Sequence, residues 1–383
     1  MSTLLHHQLG DVEARGGGHT AREIAQQPGL WRAISAARVA ARQADDAFLR
    51  PLLARPDLRI VLTGAGSSAF AGRVLAPGLA RALRRRVDAV ATTDIVSNPR
   101  ECLVEDVPTL LVSFARSGDS PESIAATQLA GQLLSDCWHL VVTCNADGEL
   151  ARAHASRPRS EVLLLPEAAN DQGFAMTSSF TGMILAAMQG LVGADDQLVQ
   201  RMAAAGEHLL ATRTADVQAL AACEPARIVY LGSGSLKGLA AESALKTLEL
   251  TAGAVVALSD SALGFRHGPK SVLDERTLVV VYVSNDPDTR QYDRDILDEL
   301  RRTMPAGNLL AISADGDDAQ DDTWTLPGLQ GVPDTALALP AVICAQLIAL
   351  ALSLSRGCTP DNPFPSGEVN RVVRGVTVHP LRT

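Results

Sequence analysis

Along most of the chain, short apolar runs alternate with stretches of helical periodicity, the pattern of a parallel sheet with helices on its faces. The pattern occurs twice. Ile60-Val-Leu-Thr-Gly64-Ala-Gly66-Ser67-Ser68 returns as Val229-Tyr-Leu-Gly232-Ser-Gly234-Ser235, and Thr109-Leu-Leu-Val-Ser113 returns as Thr277-Leu-Val-Val-Val281. Gly64 and Gly232, like Thr109 and Thr277, lie 168 residues apart (232 − 64 and 277 − 109), and strands ending at Thr143 and Ser313 lie 170 apart (313 − 143). A nearly constant offset over three strands predicts two copies of one α/β domain, joined near residues 205–225. Two packed copies in one chain commonly share a site.

Ahead of the first strand, the chain opens with an arm of 18 residues ending in Gly16-Gly17-Gly18, expected to be loose. Thr20-Ala-Arg-Glu23 has the form of a capping box, and a helical run is expected after Pro28. Its apolar positions Trp31, Ile34, Ala37, Ala41, Ala44, Phe48 and Leu52 recur at steps of three and four, predicting a helix packed on the first domain. The expected division is an arm and helix over 1–50, a first domain over 51–210 and a second, with a C-terminal tail, over 211–383.

Composition narrows the possibilities. A chain of 383 residues with 46% hydrophobic content can build two ordinary cores. A net charge of −9 argues against a nucleic-acid binder. The six cysteines are scattered, without Cys-x-x-Cys or a histidine nearby at metal-ligand spacing, so buried free thiols are expected and no metal site. The N-terminus lacks a basic stretch followed by an apolar core, so no secretory signal is expected. Thr335–Ser355 carries no charge and is long enough to cross a bilayer, but Pro340, Gln346 and Ser353 within it favour a buried helix.

Candidate chemistry gathers at four places. Each copy runs from a strand through a Gly-x-Gly-Ser turn into a helix, where Gly66, Ser67 and Ser68 would offer backbone N–H groups and a helix N-terminus to an oxyanion. Such a turn is equally plain structural punctuation. Ala69 stands at the last glycine position of the dinucleotide fingerprint, which is therefore incomplete. Ser113-Phe-Ala-Arg116-Ser117-Gly118-Asp119-Ser120-Pro121 crowds an arginine and several hydroxyls at a strand end, which suits a phosphate monoester, with Ser120 as helix cap and Pro121 at the first helical position. Glu242, Lys246 and Glu249 share one helical face, which also reads as a solvated ion-pair stripe. His267, in Gly264-Phe-Arg-His267-Gly-Pro-Lys270, is either an exposed loop residue or a proton carrier for a sugar oxygen.

Taken together, the Gly-Ser-Ser turn, Ser117-Gly118-Asp119-Ser120, the Glu-x-x-x-Lys-x-x-Glu helix and His267-Gly268-Pro269 resemble sugar-isomerase (SIS) domains, including the isomerase half of glucosamine-6-phosphate synthase. Thr20-to-Pro28 with Trp31, Ser113-Phe-Ala-Arg-Ser-Gly, Thr143-Cys-Asn-Ala-Asp-Gly and Val369-Asn-Arg-Val-Val-Arg-Gly-Val-Thr-Val378 resemble most closely the AgaS-type galactosamine-6-phosphate deaminase/isomerases, also labelled tagatose-6-phosphate ketose/aldose isomerases. The resemblance spans the chain from about residue 20. It implies two tandem flavodoxin-like, three-layer α/β domains with an N-terminal helical arm.

The resemblance also implies roles. Ser68, Ser117 and Ser120 would hold the phosphate, with Arg116 adding a bidentate contact where synthase relatives carry a neutral amide. Glu249 would shuttle a proton between C1 and C2, and His267 would open the ring, reaching in from a neighbouring subunit. Glu242 and Lys246 would support that carboxylate and the open-chain substrate. Arg374 stands where the synthase tail has a lysine, which argues against a Schiff base. Ala115 replaces one phosphate-binding hydroxyl.

The chain has no room for the synthase's glutaminase domain, so the ammonia-releasing direction is implied. The implied enzyme is cytoplasmic, needs no cofactor, takes a phosphorylated amino sugar, and forms a homodimer or higher homo-oligomer sharing sites between subunits. Glucosamine-6-phosphate deamination, simple ketose/aldose isomerisation and a non-catalytic phosphosugar sensor remain the alternatives.

Overall fold

The structure, a computed structural model, describes residues 10–373 and 375–382. It contains two five-stranded parallel sheets. The first is built from β1 (Arg59–Thr63), β2 (Val87–Ala89), β3 (Thr109–Ala115), β4 (Cys137–Thr143) and β5 (Ser160–Leu164), in the order β2-β1-β3-β4-β5. The second is built from β6 (Arg227–Leu231), β7 (Val256–Asp260), β8 (Thr277–Tyr282), β9 (Leu309–Ser313) and β10 (Thr323–Thr325), in the order β7-β6-β8-β9-β10. Numbered within each copy, both orders read 2-1-3-4-5, the flavodoxin-like arrangement. The duplication expected from the repeated pattern is therefore real at the level of topology. Every residue of β1, β3 and β8 is buried, because helices cover both faces of these sheets, and this is why the strands read as unbroken apolar runs.

The chain divides into two compact units. The first-copy unit comprises Leu30–Asn170, Ser178–Asp196 and the tail from Gly367, and the second-copy unit comprises residues up to Gly29, Asp171–Thr177 and Gln197–Ser366. The helices that matter below are α1 (Gly18–Leu53), α2 (Ser67–Leu83), α3 (Pro121–Leu133), α4 (Glu149–His154), α5 (Ser178–Val192), α6 (Ser235–Leu250), α7 (Pro287–Thr303) and α8 (Asp334–Ser355).

The N-terminal region departs from the sequence reading in three ways. Residues 10–14 are already helical, and Gly16 accepts a backbone hydrogen bond from Asp361, so this part of the arm is not loose. Helix α1 begins at Gly18, which places Thr20 and Glu23 inside it, and they form no capping box. Instead Asp361 caps the helix from a distant stretch of chain, accepting from the backbone of His19 (3.0 Å) and Thr20 (2.8 Å) and from the Thr20 hydroxyl (2.7 Å). Glu23 turns to the loop, where its carboxylate accepts the backbone N–H groups of Gln172 (2.5 Å) and Gly173 (3.1 Å).

Third, α1 passes straight through Pro28, which supplies no N–H to the Ile24 carbonyl one turn back. The Gln27 amide donates to that carbonyl at 3.1 Å, and to the Gln346 side chain at 2.7 Å, so the proline is tolerated because its orphaned acceptor has another partner. Farther along, Trp31 and Ile34 are buried as expected. The stripe then drifts, so that Asp45 and Leu49 are buried while Ala44 is exposed. Within the first-copy unit, the Trp31 indole donates to Thr181 (3.0 Å) and Gln189 to Ser35 (2.8 Å), which docks this helix on α5.

Helix α8 has the length and hydropathy of a membrane span, yet 89% of that stretch is buried inside the protein. Gln346 and Ser353, which argued for burial, are both fully buried. All six cysteines are free; Cys223 is exposed, so the expectation of buried thiols holds only in part.

A pair of histidines makes the first-copy unit sensitive to acid. His139 on β4 and His154 at the end of α4 are buried with ring centroids 4.8 Å apart. Burial, and then the neighbouring cations, push His139 down to about 3 and His154 down to about 4. The unfolded chain, titrating near the ordinary value of 6.5, binds these protons first. Stability is therefore full above about pH 6.5 and falls as pH drops toward 4, by on the order of a few kcal/mol for the pair. Denaturant midpoints measured from pH 7.5 to 4.5 check this: His139→Leu with His154→Phe is expected to flatten the slope, and an unchanged slope would assign acid lability elsewhere.

Candidate active site

The first-copy unit places its candidate anion cradle where its strand order reverses. In such sheets the loops after the two central strands, here β1 and β3, diverge and leave a crevice at their carboxyl ends. After β1, a Cβ on Gly64 would lie 2.5 Å from the Ser68 side chain, so only glycine fits. Gly66 holds φ 56°, which again favours glycine, and caps α2 without any side-chain hydrogen bond. Ser67 and Ser68 follow as the buried first residues of a 17-residue helix.

After β3, Ser120 caps α3 as expected, accepting from the Ser123 N–H (3.3 Å) and sharing a hydroxyl hydrogen bond with Ser123 (2.7 Å). Ser117 is half-buried. Its hydroxyl accepts from Asp119 N–H (3.3 Å), and its carbonyl accepts from the Asn145 amide (2.9 Å), which fixes the turn. Two buried hydroxyls meet in the sheet: Thr63, which the sequence did not single out, and Ser113, the first residue of the hydroxyl-rich string. Thr63 and Ser113, register partners at the ends of β1 and β3, have no protein hydrogen-bond partner among the described residues. Only the pairing of strands brings them side by side.

Arg116, the residue expected to add a bidentate contact, has a backbone partner. It is buried, and its Nη2 donates at 2.8 Å to the Arg371 carbonyl in the C-terminal tail of the same unit. At least one arm of its fork thus holds backbone. Arg374 lies outside the described residues.

The second-copy unit repeats the turn but not its capacity for anions. Gly234 (φ 56°, ψ −126°) reproduces Gly66 (φ 56°, ψ −127°) almost to the degree. Here, however, the donors are spent on the protein's own carboxylates. Ser233 donates to Asp293 (2.9 Å), as does the Ser284 N–H (3.0 Å), and the Ser284 hydroxyl (2.5 Å) and Asn285 N–H (2.8 Å) donate to Asp334. Burial pushes Asp293 up to about 6. Asp286 caps α7 where Ser120 caps α3. A crevice so lined would repel phosphate, which leaves the first glycine turn as the candidate anion site.

What the second-copy unit offers instead is an acid–base cluster on α6. Glu242 and Lys246 are fully buried, so the solvated-stripe reading of this face is wrong. The Lys246 ammonium lies 3.4 Å from Glu242 Oε1 and is ion-paired to Glu249 Oε2. Glu249 alone reaches solvent, with 23% of its side chain exposed. Two buried tyrosines fix the helix: Tyr230 Oη shares a hydrogen bond with Thr247 (3.0 Å) and Tyr282 Oη with Ser243 (2.7 Å). His267 lies on the loop that follows β7. Its ring is exposed and meets no hydrogen-bond partner among the described residues, and no hydrogen bond joins it to Glu249.

An open anion cradle at a flavodoxin-like switch point, and a buried lysine flanked by glutamates, define the class as a sugar-isomerase-fold enzyme. The SIS domain model matches residues 52–192. A Streptomyces coelicolor protein bearing the AgaS name is 63% identical over 368 residues, 95% of this chain and 96% of that one. The D-galactosamine-6-phosphate deaminase AgaS of a Shewanella species is 45% identical, covering 94% of this chain and 92% of its own. The crystal structure of tagatose-6-phosphate ketose/aldose isomerase from Escherichia coli superposes with a TM-score of 0.88 at 42% identity, over 96% of this chain and 98% of that one. The chain belongs to the AgaS family.

Proposed function

We propose that the protein is a cytoplasmic homodimeric deaminase/isomerase that converts galactosamine-6-phosphate to tagatose-6-phosphate and ammonia. The observation that carries this is the buried Lys246 with Glu249 beside it: a partly exposed carboxylate, on a fixed helix, ion-paired to a buried ammonium. The names of the AgaS relatives supply the substrate.

In this reading Gly66, Ser67, Ser68, Ser117 and Ser120 bind the phosphate. His267 moves the proton that opens the ring. Glu249 takes the C2 proton and returns it to C1, passing through an enolamine and leaving an imine at C2. Water then hydrolyses the imine, and the nitrogen departs as ammonia. The protein's own side chains move each of these protons.

The test is ammonia release from galactosamine-6-phosphate and glucosamine-6-phosphate in parallel. Release from the galacto sugar is expected, and release from the gluco sugar alone would keep the chemistry but overturn the substrate. The name of the Escherichia coli structure favours a second reading, ketose/aldose isomerisation without loss of an amine. Turnover of tagatose-6-phosphate with silence on both amino sugars would establish that instead.

A further inference from the structure

We propose that Glu299, on α7, is a positioning residue for His267, clamping the loop that carries the imidazole. The inference rests on the reading of His267 as the group that opens the sugar ring, and it adds a residue that no feature of the sequence singled out.

The loop is well anchored at its two ends and almost free between them. On entry, Ser261 caps a single helical turn by accepting from Gly264 N–H (3.1 Å), and Ala262 and Phe265 are buried in the core. On exit, Val272 and Leu273 pack against the same cluster. Residues 266–269 and 271 are exposed. Their own backbone ties are short-range, His267 N–H to Gly264 (2.9 Å) and Ser271 N–H to Gly268 (3.0 Å). Gly268, at φ 122°, sits directly after His267 in a conformation that other residues rarely adopt.

One side chain bridges this span. Glu299 Oε2 lies 2.6 Å from Arg266, and Oε1 is ion-paired to Lys270, so a single carboxylate grips the loop on both sides of His267. Its base is rigid, because Ile296, Leu297 and Leu300 of α7 lie in the same core cluster as Phe265. Such half-exposed ion pairs add little to global stability. Their effect is on placement, to which catalysis is far more sensitive: a misplacement of about 1 Å costs about 100-fold.

The experiment compares Glu299→Gln with wild type on two substrates, galactosamine-6-phosphate and its 4,5-dideoxy analogue, which has no hydroxyl able to close a five- or six-membered ring. The expected result is a kcat at least about tenfold lower on the cyclic sugar, with KM and turnover of the open analogue within about twofold of wild type. Glu299→Asp should recover part of the rate. Arg266→Gln with Lys270→Gln should reproduce the loss, and adding Glu299→Gln to that pair should cost nothing more. An unchanged rate on the cyclic sugar, or an equal loss on both substrates, overturns the clamp. His267→Ala separates the two levels: if it loses cyclic turnover and Glu299→Gln does not, only the clamp fails. If His267→Ala is itself silent, the ring-opening assignment fails, and the clamp with it.

Discussion

Glu249→Gln should fold normally and lose roughly 10²- to 10⁴-fold in kcat, with KM nearly unchanged. The substitution keeps the shape of the side chain and its capacity to accept a hydrogen bond from Lys246. It removes only the group that can carry a proton from C2 to C1. Lys246 keeps Glu242 as a charged partner 3.4 Å away, so the buried ammonium is not stranded. A second readout follows from the same step. In D₂O the wild type should incorporate solvent deuterium into the ketose product, and the variant should do so no faster than it turns over. Turnover within about tenfold of wild type would remove Glu249 as the proton carrier, because positioned general bases contribute more than that.

The duplicated frame was legible because strands covered on both faces must be apolar throughout, and because Gly64 and Gly232 are required by close backbone approach at equivalent places. What escaped the sequence was set by partners far along the chain. Thr20 and Glu23 have the spacing of a capping box, yet Asp361, 341 residues from Thr20, and the loop 149 residues from Glu23 claim their hydrogen bonds. Arg116 finds a backbone carbonyl 255 residues away, and a carbonyl has no signature in sequence. The second glycine turn is silenced by Asp293 and Asp334, which reach back across 60 and 50 residues to Ser233 and Ser284. Spacing alone also could not tell whether Glu242, Lys246 and Glu249 form a solvated stripe or a buried cluster. The i, i+3 and i, i+4 geometry is the same in both cases, and only what covers the helix decides.

That covering makes Lys246 the most consequential single residue for both stability and activity. Lys246→Met removes the ammonium from between a fully buried carboxylate and a largely buried one, at a cost expected to be roughly 3–5 kcal/mol. The cost comes less from the lost attraction than from Glu242, which stays in the interior after its ammonium partner is gone. Glu242→Gln with Lys246→Met should therefore be markedly more stable than Lys246→Met alone, because neutralising the partner removes the stranded charge. Activity should not return with stability, since Glu249 in the double variant still lacks the ammonium that orients it. Denaturant unfolding and steady-state kinetics on the three proteins separate these effects. If the double variant regains both stability and turnover, Lys246 serves the fold alone; if it regains stability and stays inactive, the lysine is part of the chemistry.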